Sequence, residues 1–172
     1  STKCVGHLSD VTLPPKALTS AAVLTSQAVN NTLEACILDI ENAAKLCIEC
    51  LKSGNKLLIF GNGGSAATAS HISVDLVKAA RVRASNFNEA DLITCFSNDF
   101  GYENWVKKSL EIYSETKDLL ILISCSGNSK NLVNANIFAK KLGLKIVTLT
   151  GCKKNNKLNA IKNDLSFWVN SN

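Results

Sequence analysis

The spacing of apolar and polar residues differs between two parts of the chain, and the spacing in the first part predicts a long helix. Between residues 31 and 54, apolar side chains recur at steps of three and four, as on one face of an amphipathic helix. This stripe comprises Leu33, Ile37, Ile40, Ala44, Cys47, Ile48 and Leu51. Asn31 with Glu34 three residues later is typical of a helix start, and Gly54 is typical of a helix end.

From residue 55 onward, short apolar runs alternate with segments of helical period. The apolar runs predict strands at residues 56–60, 118–124, 144–149 and 165–169, with a weaker one at 82–87. The intervening segments predict helices at residues 65–80, 102–113, 128–142 and 158–162. For residues 88–96 the pattern leaves two alternatives, a short helix capped by Asn88 or a strand at 92–96.

Continuous apolar strands separated by helices are typical of a parallel sheet that is covered on both faces. The sequence therefore predicts an α/β fold, whose ligands bind beyond the carboxyl ends of the strands. The 172 residues fit a single domain. We expect an arm at residues 1–15, N-terminal helices at 16–54 and an α/β core at 55–172.

Two polar loops follow predicted strands and are the first candidates for chemistry. The loop at residues 61–65 reads Gly-Asn-Gly-Gly-Ser, and its glycines allow a ligand to approach bare backbone. The loop at 124–129 reads Ser-Cys-Ser-Gly-Asn-Ser and offers hydroxyls at a helix N-terminus, which favours a phosphate. An ordinary turn with Asn128 as helix cap is the alternative there. Because Ala66 breaks the dinucleotide pattern and no Gly-Lys-Ser/Thr follows, we expect no nucleotide cofactor.

Two further positions carry groups that could react or bind. His71 and Asp75 are four residues apart on a predicted helix and therefore share a face. An imidazole beside a carboxylate can bind a metal or transfer a proton, and a simple surface pair is the alternative. Asp99 opens the next predicted helix, where a capping role is the simpler interpretation.

Composition narrows the possible partners. The net charge of +5 comes partly from lysines near the end of the chain, without the interleaved aromatic residues of a nucleic-acid interface. No apolar run approaches the ~20 residues of a membrane span, and no secretion signal opens the sequence. Seven scattered cysteines favour thiols in a reducing cytosol over a disulfide scaffold, and Cys47 and Cys50 are expected to be buried thiols.

Five segments in this order resemble sugar isomerase (SIS) domains, and among them most closely the phosphoheptose isomerases. They are residues 61–67, His71 with Asp75, residues 98–103, residues 123–129 and residues 148–151. The resemblance covers roughly residues 31–170. It implies a three-layer α/β/α fold with a five-stranded parallel sheet of flavodoxin-like type. It also implies a homotetramer, with the N-terminal helices packed between subunits.

The activity implied by this resemblance is an aldose–ketose isomerisation through an enediol. It interconverts sedoheptulose 7-phosphate and D-glycero-D-manno-heptose 7-phosphate, for lipopolysaccharide or capsule heptose synthesis in the bacterial cytoplasm. One alternative is a non-catalytic SIS module that binds a sugar phosphate or a protein partner such as a replication initiator. Another is an isomerase that acts on a different ketose phosphate. Neither a nucleic acid nor a membrane is expected as a partner.

The resemblance also implies a role for each matching residue. The substrate-binding set consists of Asn62, Gly63, Gly64, Ser65, Asp99, Ser124, Cys125, Ser126 and Ser129. Within that set the three serines of the second loop hold the phosphate, and the first loop lines the sugar. His71 is the metal ligand of zinc-binding members. Asp75 stands where the family has a glutamate that serves as catalytic base and can also bind the metal.

The sequence departs from the family pattern at several of these positions. Asp75 is one methylene shorter than glutamate, and a misplacement of ~1 Å can cost ~100-fold in rate. Cys125 replaces the usual threonine of the phosphate loop, and Ala79 stands where an arginine is common. The family also carries a helix after the last strand, with a glutamine and a histidine that complete the metal and acid/base site. No residue of this sequence matches those two.

Overall fold

The computed structural model describes Glu34 and residues 36–170, and its centre is a five-stranded sheet. The strands are β1 (Leu57–Gly61), β2 (Ala84–Ser85), β3 (Leu119–Ser124), β4 (Lys145–Thr150) and β5 (Leu165–Trp168). They are all parallel and follow the order β2-β1-β3-β4-β5, which is the flavodoxin-like order. The predicted fold class is therefore confirmed, and each predicted strand is present within a few residues of its predicted bounds.

Helices cover both faces of this sheet. They are α1 (residues 36–52), α2 (Gly64–Ala80), α3 (Ala90–Phe100), α4 (Trp105–Tyr113) and α5 (Lys130–Leu142). Successive strand residues point to opposite faces, so Leu57 and Ile59 pack with α1 and α2, whereas Leu58 and Phe60 pack with α4 and α5. Within the described part of the chain, no helix combines the length and the apolar character needed to cross a membrane.

The long helix α1 meets the sheet with a different face from the predicted one. Its contacts with the core come from Ala43, Leu46, Cys47 and Cys50. Of the described residues in the predicted stripe, only Cys47 belongs to this set. The large ones lie outside the core, at 53% exposed for Ile37, 48% for Ile40, 50% for Ile48 and 43% for Leu51. The helix thus has apolar residues on two neighbouring faces, and periodicity alone cannot tell which one is buried.

The predicted end of α1 is confirmed, whereas its predicted start cannot be compared. Gly54 has φ +73°, and its N–H donates to the carbonyl of Leu51 at 3.0 Å. The N–H of Asn55 donates to Cys50 at 3.1 Å, which completes a Schellman end. The predicted arm at 1–15, the helix before residue 30 and the cap at Asn31 lie outside the described residues.

The structure decides between the two alternatives for residues 88–96 and corrects two capping predictions. Residues 92–96 are part of α3, which confirms the helix alternative, but the helix cap is Glu89 rather than Asn88. The Asn88 amide donates instead to Ala66 O and Ser70 Oγ, both at 2.9 Å. Because α3 continues to Phe100, Asp99 lies in its last turn and does not cap a following helix.

Two further predicted helices differ from the structure. The helix after α3 begins at Trp105 and not at residue 102, because Gly101 and the residues after it form a turn. The predicted helix at residues 158–162 is absent, and residues 157–160 form a turn instead. Asn156 anchors that turn, since its Oδ1 accepts from the N–H of Asn159 at 2.9 Å.

A buried carboxylate holds the amino-terminal edge of the sheet. Asp118 is 0% exposed and accepts from the N–H groups of Lys56 (3.0 Å) and Glu115 (2.7 Å). The Lys56 ammonium pairs with the same carboxylate at 2.9 Å. Burial raises the pKa of Asp118, but the hydrogen bonds from Lys56 and Glu115 outweigh burial and hold that pKa below its ordinary value.

Candidate functional site

Both polar loops lie at the carboxyl-terminal edge of the sheet and enclose one cavity. Strands β1 and β3 are direct neighbours, with Gly61 in register with Ile123, so the loops that follow them lie side by side. The cavity has a volume of about 200 Å³ and is lined by Asn62, Ser65, Ile123, Ser124, Cys125, Ser126 and Ser129. The structure thus brings together six of the predicted substrate-binding residues.

The first loop is held in a tight turn by Gly61. A Cβ at this position would lie 2.5 Å from the backbone C and O of Ser65, so the chain folds back on itself more closely than a side chain allows. The carbonyl of Gly63 accepts from the N–H groups of Ala66 (3.0 Å) and Ala67 (3.1 Å). Helix α2 starts at Gly64 and has no acidic residue in its first turn. Gly63 and Gly64 therefore shape the loop, although neither lines the cavity.

The second loop directs serine hydroxyls and a helix N-terminus toward the same cavity. Ser124 Oγ accepts from the N–H of Gly127 at 3.1 Å and lies 3.5 Å from Ser129 Oγ. Helix α5 is 13 residues long, with Ser129 as its N-cap and no acidic residue in its first turn. The positive end of its dipole and these hydroxyls provide an environment that stabilises an anion.

Asn128 is not the helix cap that the sequence offered as an alternative. Its side-chain amide donates to Ser126 O at 2.9 Å, and its Oδ1 accepts from the N–H of Lys157 at 3.1 Å. Gly127 next to it has φ +63°, and a Cβ there would lie 2.2 Å from the Asn156 side chain. The serine loop is thus packed against residues 156–157 and keeps a fixed shape.

A pair of asparagines joins the two loops. Asn62 Nδ2 donates to Asn131 Oδ1 at 3.0 Å, and Asn131 Nδ2 donates back to Asn62 Oδ1 at 2.9 Å. The hydroxyl of Tyr102 also donates to Asn62 Oδ1, at 3.1 Å. Asn131 is only 2% exposed. Sequence reasoning missed Asn131, and its place two residues after the serine loop was the available signal.

The loop after β4 reaches the same edge of the sheet. The N–H of Gly151 donates to the carbonyl of Cys125 at 2.9 Å, and the sulfur atoms of Cys125 and Cys152 lie 3.5 Å apart. Cys152 has φ +50°, a left-handed conformation that a non-glycine residue adopts seldom. Sequence reasoning also missed Cys152, because the two sulfurs are 27 residues apart in the chain.

The remaining predicted site residues lie away from the cavity. His71 Nε2 and Asp75 Oδ2 are 3.3 Å apart on α2, with side chains 81% and 64% exposed. Asp99 is exposed in the last turn of α3, where it accepts from Asn98 Nδ2 at 2.9 Å. None of the three lines the cavity. The described residues contain no cluster of three or more His, Cys, Asp or Glu side chains suited to a metal ion, so His71 and Asp75 supply two donors where zinc uses at least three protein ligands.

Comparison with known proteins points to one family. A SIS domain family model matches residues 24–151. The phosphoheptose isomerase of Akkermansia muciniphila is 39% identical over 119 residues, which cover 66% of this chain and 63% of that protein. The phosphoheptose isomerase of Aliarcobacter butzleri is 37% identical over 139 residues, covering 77% and 72%. The match thus spans less than two thirds of the Akkermansia relative's length.

Two solved structures extend the likeness to the fold. The phosphoheptose isomerase of Francisella tularensis superposes with a TM-score of 0.84 at 28% identity, over 93% of this chain and 87% of that one. The phosphoheptose isomerase of Neisseria gonorrhoeae gives a TM-score of 0.81 at 26% identity, over 90% and 84%.

Proposed function

Since the chain belongs to the SIS domain family, we propose that it is a phosphosugar isomerase of the phosphoheptose isomerase type. Its proposed reaction interconverts sedoheptulose 7-phosphate and D-glycero-D-manno-heptose 7-phosphate. The product would supply heptose for lipopolysaccharide or capsule synthesis in the bacterial cytoplasm. The observation that carries this proposal is the shared cavity of the two polar loops.

The cavity suits a phosphorylated sugar because its two sides differ in chemistry. On one side are the hydroxyls of Ser124, Ser126 and Ser129, together with the N-terminus of α5. We assign this side to the phosphate, since hydroxyls and helix N-termini donate to anions. On the other side Asn62 and Ser65 offer an amide and a hydroxyl to the sugar. The residues that line the cavity include no carboxylate, so nothing among them repels the anion.

The proposed chemistry needs a base that moves a proton between neighbouring carbon atoms of the substrate. We assign this role to Asp75, with His71 next to it at 3.3 Å. Both side chains are exposed on the outer side of α2, which is where a neighbouring subunit could approach. We therefore place the complete active site at a contact between subunits.

A homotetramer is the assembly that we propose for this purpose. One face of α1 supports it, because the described part of the chain leaves Ile37, Ile40, Ile48 and Leu51 with 43–53% of their surface exposed. Clustered exposed apolar side chains of this kind are characteristic of protein contacts. In the proposed assembly, α1 packs against the same helix of another subunit.

Zinc stays a proposed cofactor, bound through His71 and Asp75. When bound, zinc polarises a substrate oxygen. The described residues provide only this pair of donors, which is too few for a complete site, so no step above is assigned to the metal.

A calorimetric titration of the full chain with zinc chloride, compared with His71→Ala, tests the proposal: the variant should lose the binding signal.

The central experiment incubates the full chain with sedoheptulose 7-phosphate and follows the formation of aldose. We expect turnover that Asp75→Asn abolishes. Asp91→Asn serves as the matched control, because Asp91 is an exposed aspartate on another helix and should keep full activity. Thermal stabilisation by the sugar phosphate without any turnover would indicate a binding module instead. Absence of stabilisation by every sugar phosphate tested would refute the assignment of the cavity.

A further inference from the structure

The hydrogen bonds of the Asn62 side chain determine which of its groups can still bind a ligand. Its Oδ1 accepts twice, from Asn131 Nδ2 at 2.9 Å and from the Tyr102 hydroxyl at 3.1 Å. Its Nδ2 donates once, to Asn131 Oδ1 at 3.0 Å. A carboxamide oxygen has two lone pairs and its nitrogen has two N–H groups. Both acceptor sites are therefore filled, and one N–H of this cavity-lining residue has no partner among the described residues.

The two residues that fix this amide belong to different parts of the fold. Asn131 lies in the first turn of α5 and is 2% exposed, so its amide has little freedom to turn away. Tyr102 comes from the turn between α3 and α4 and is 53% exposed. Together they fix the plane of the Asn62 amide from two directions, which lowers the entropy lost when a ligand binds.

We propose that Asn131 and Tyr102 are positioning residues, which hold Asn62 as a hydrogen-bond donor to an acceptor oxygen of the sugar chain. This inference rests on the proposed function, because it takes the cavity as the phosphosugar site. In this proposal Asn131 does not contact the ligand. Asn62 selects for a sugar oxygen that accepts a hydrogen bond. An ordered donor of this kind discriminates between ligands, because a ligand without an acceptor oxygen at this place leaves the donor unpaired.

The test measures the dissociation constants of sedoheptulose 7-phosphate and of inorganic phosphate by calorimetry on the full chain. Asn131→Ala removes both reciprocal bonds, and we expect sugar phosphate to bind about tenfold more weakly, the range of one or two hydrogen bonds. Inorganic phosphate should bind unchanged, because the serine loop is retained. Tyr102→Phe should weaken sugar phosphate binding about threefold.

A double-mutant cycle separates positioning from a general structural effect. In an Asn62→Ala background, Asn131→Ala should cause no further loss, because it acts only through the Asn62 amide. Asn134→Ala is the matched control, since Asn134 lies on the same helix and donates to Glu103 O rather than to the loop. The control should bind both ligands like the wild type.

Three results would overturn the inference, and the third is normal binding of the sugar phosphate by all variants. The first is an equal loss from Asn131→Ala with and without the Asn62 side chain. The second is a matching loss for inorganic phosphate, which would indicate a disturbed serine loop. If Asn131→Ala fails to fold, Tyr102→Phe decides, because the exposed ring stays in place and only the hydroxyl is removed. A wild-type chain that binds no sugar phosphate refutes the proposed function itself, whereas normal binding by all variants refutes only the inference.

Discussion

The two edges of the same sheet use opposite chemistry. At the amino-terminal edge, the buried carboxylate of Asp118 is matched by the ammonium of Lys56 and by backbone N–H groups. At the carboxyl-terminal edge, Asn62, Asn131 and the serines form a neutral network around a cavity. The charged groups thus lie at the buried amino-terminal edge. Neutral donors surround the cavity that we propose as the ligand site.

The difference follows from what each edge must do. A buried charge needs a permanent partner, since an unpaired charge in the protein interior is very costly. A binding site must instead keep hydrogen-bond donors available for the ligand. Neutral hydroxyls and amides can do this because they need no charged partner when they are exposed to water. We therefore expect stability and binding to respond to different substitutions.

The largest expected effect is on stability at the amino-terminal edge. Asp118→Ala leaves the Lys56 ammonium and the backbone N–H groups of Lys56 and Glu115 without their buried acceptor, so the free energy of unfolding should fall by about 3 kcal/mol. Urea denaturation followed by circular dichroism measures this loss. Asp164→Ala at the same edge is the control, because its partner Lys145 is 55% exposed, and it should cost about 1 kcal/mol. Equal losses for the two variants would contradict the special role of the buried pair.

A second substitution acts on the carboxyl-terminal edge. Gly61→Ala places a Cβ against the backbone of Ser65, so the first loop must shift. We expect a loss of about 2 kcal/mol in the free energy of unfolding, together with loss of sugar phosphate binding. Gly64→Ala is the control for stability, since a Cβ there meets nothing within 4 Å and φ needs no glycine, so the free energy of unfolding should change little. If both variants bind the ligand equally well, the tight turn is not needed for binding.

The loss of stability at acid pH should come from Asp118 at the amino-terminal edge of the sheet. The folded-state pKa of Asp118 is lowered, so its contribution to stability is present above the unfolded-state value of about 3.9 and is lost as pH falls through the folded-state value. Wild type should therefore lose more free energy of unfolding than Asp118→Asn between about pH 5 and pH 2. Denaturation curves at several pH values provide the measurement. Parallel profiles for the two proteins would show that another carboxylate governs acid unfolding.

The smallest effect on stability is expected at the exposed pair on α2. His71→Ala should change the free energy of unfolding by no more than about 0.5 kcal/mol, because exposed pairs four residues apart on a helix are weak. Thermal unfolding of wild type and variant at the same pH measures it. A loss above about 1 kcal/mol would mean that the pair packs against another part of the protein.

The sequence predicted the strands and both loops well, because these features depend on local residues. The runs before Gly61 and Ser124 are continuously apolar, and only a doubly covered strand tolerates such a run. The register of β1 with β3 then brings the two loops together. The cavity thus follows from strand type and loop chemistry, and both can be read from the residues.

Other features could not be predicted because they depend on distant contacts. Helix α1 packs on the sheet through the face that carries Ala43 and Leu46, and the stripe that contains Ile40 is left exposed. Both faces are apolar, so the choice between them is made by tertiary packing and not by the local pattern. One alternative for residues 88–96 made Asn88 a helix cap, but its side-chain amide donates to Ala66 O and Ser70 Oγ of α2. The match between Asn62 and Asn131 depends on a register that no local pattern encodes.

The amide pair that joins the loops also sets an order of events during synthesis of the chain. Asn62 and Asn131 are 69 residues apart, so this contact closes a long loop and cannot form until the start of α5 has been synthesised. A nascent chain that has emerged only as far as β3 contains the first wall of the cavity without the second. Under the proposed function, ligand binding begins only after α5 has docked, and a bound ligand then stabilises only chains that have passed this step.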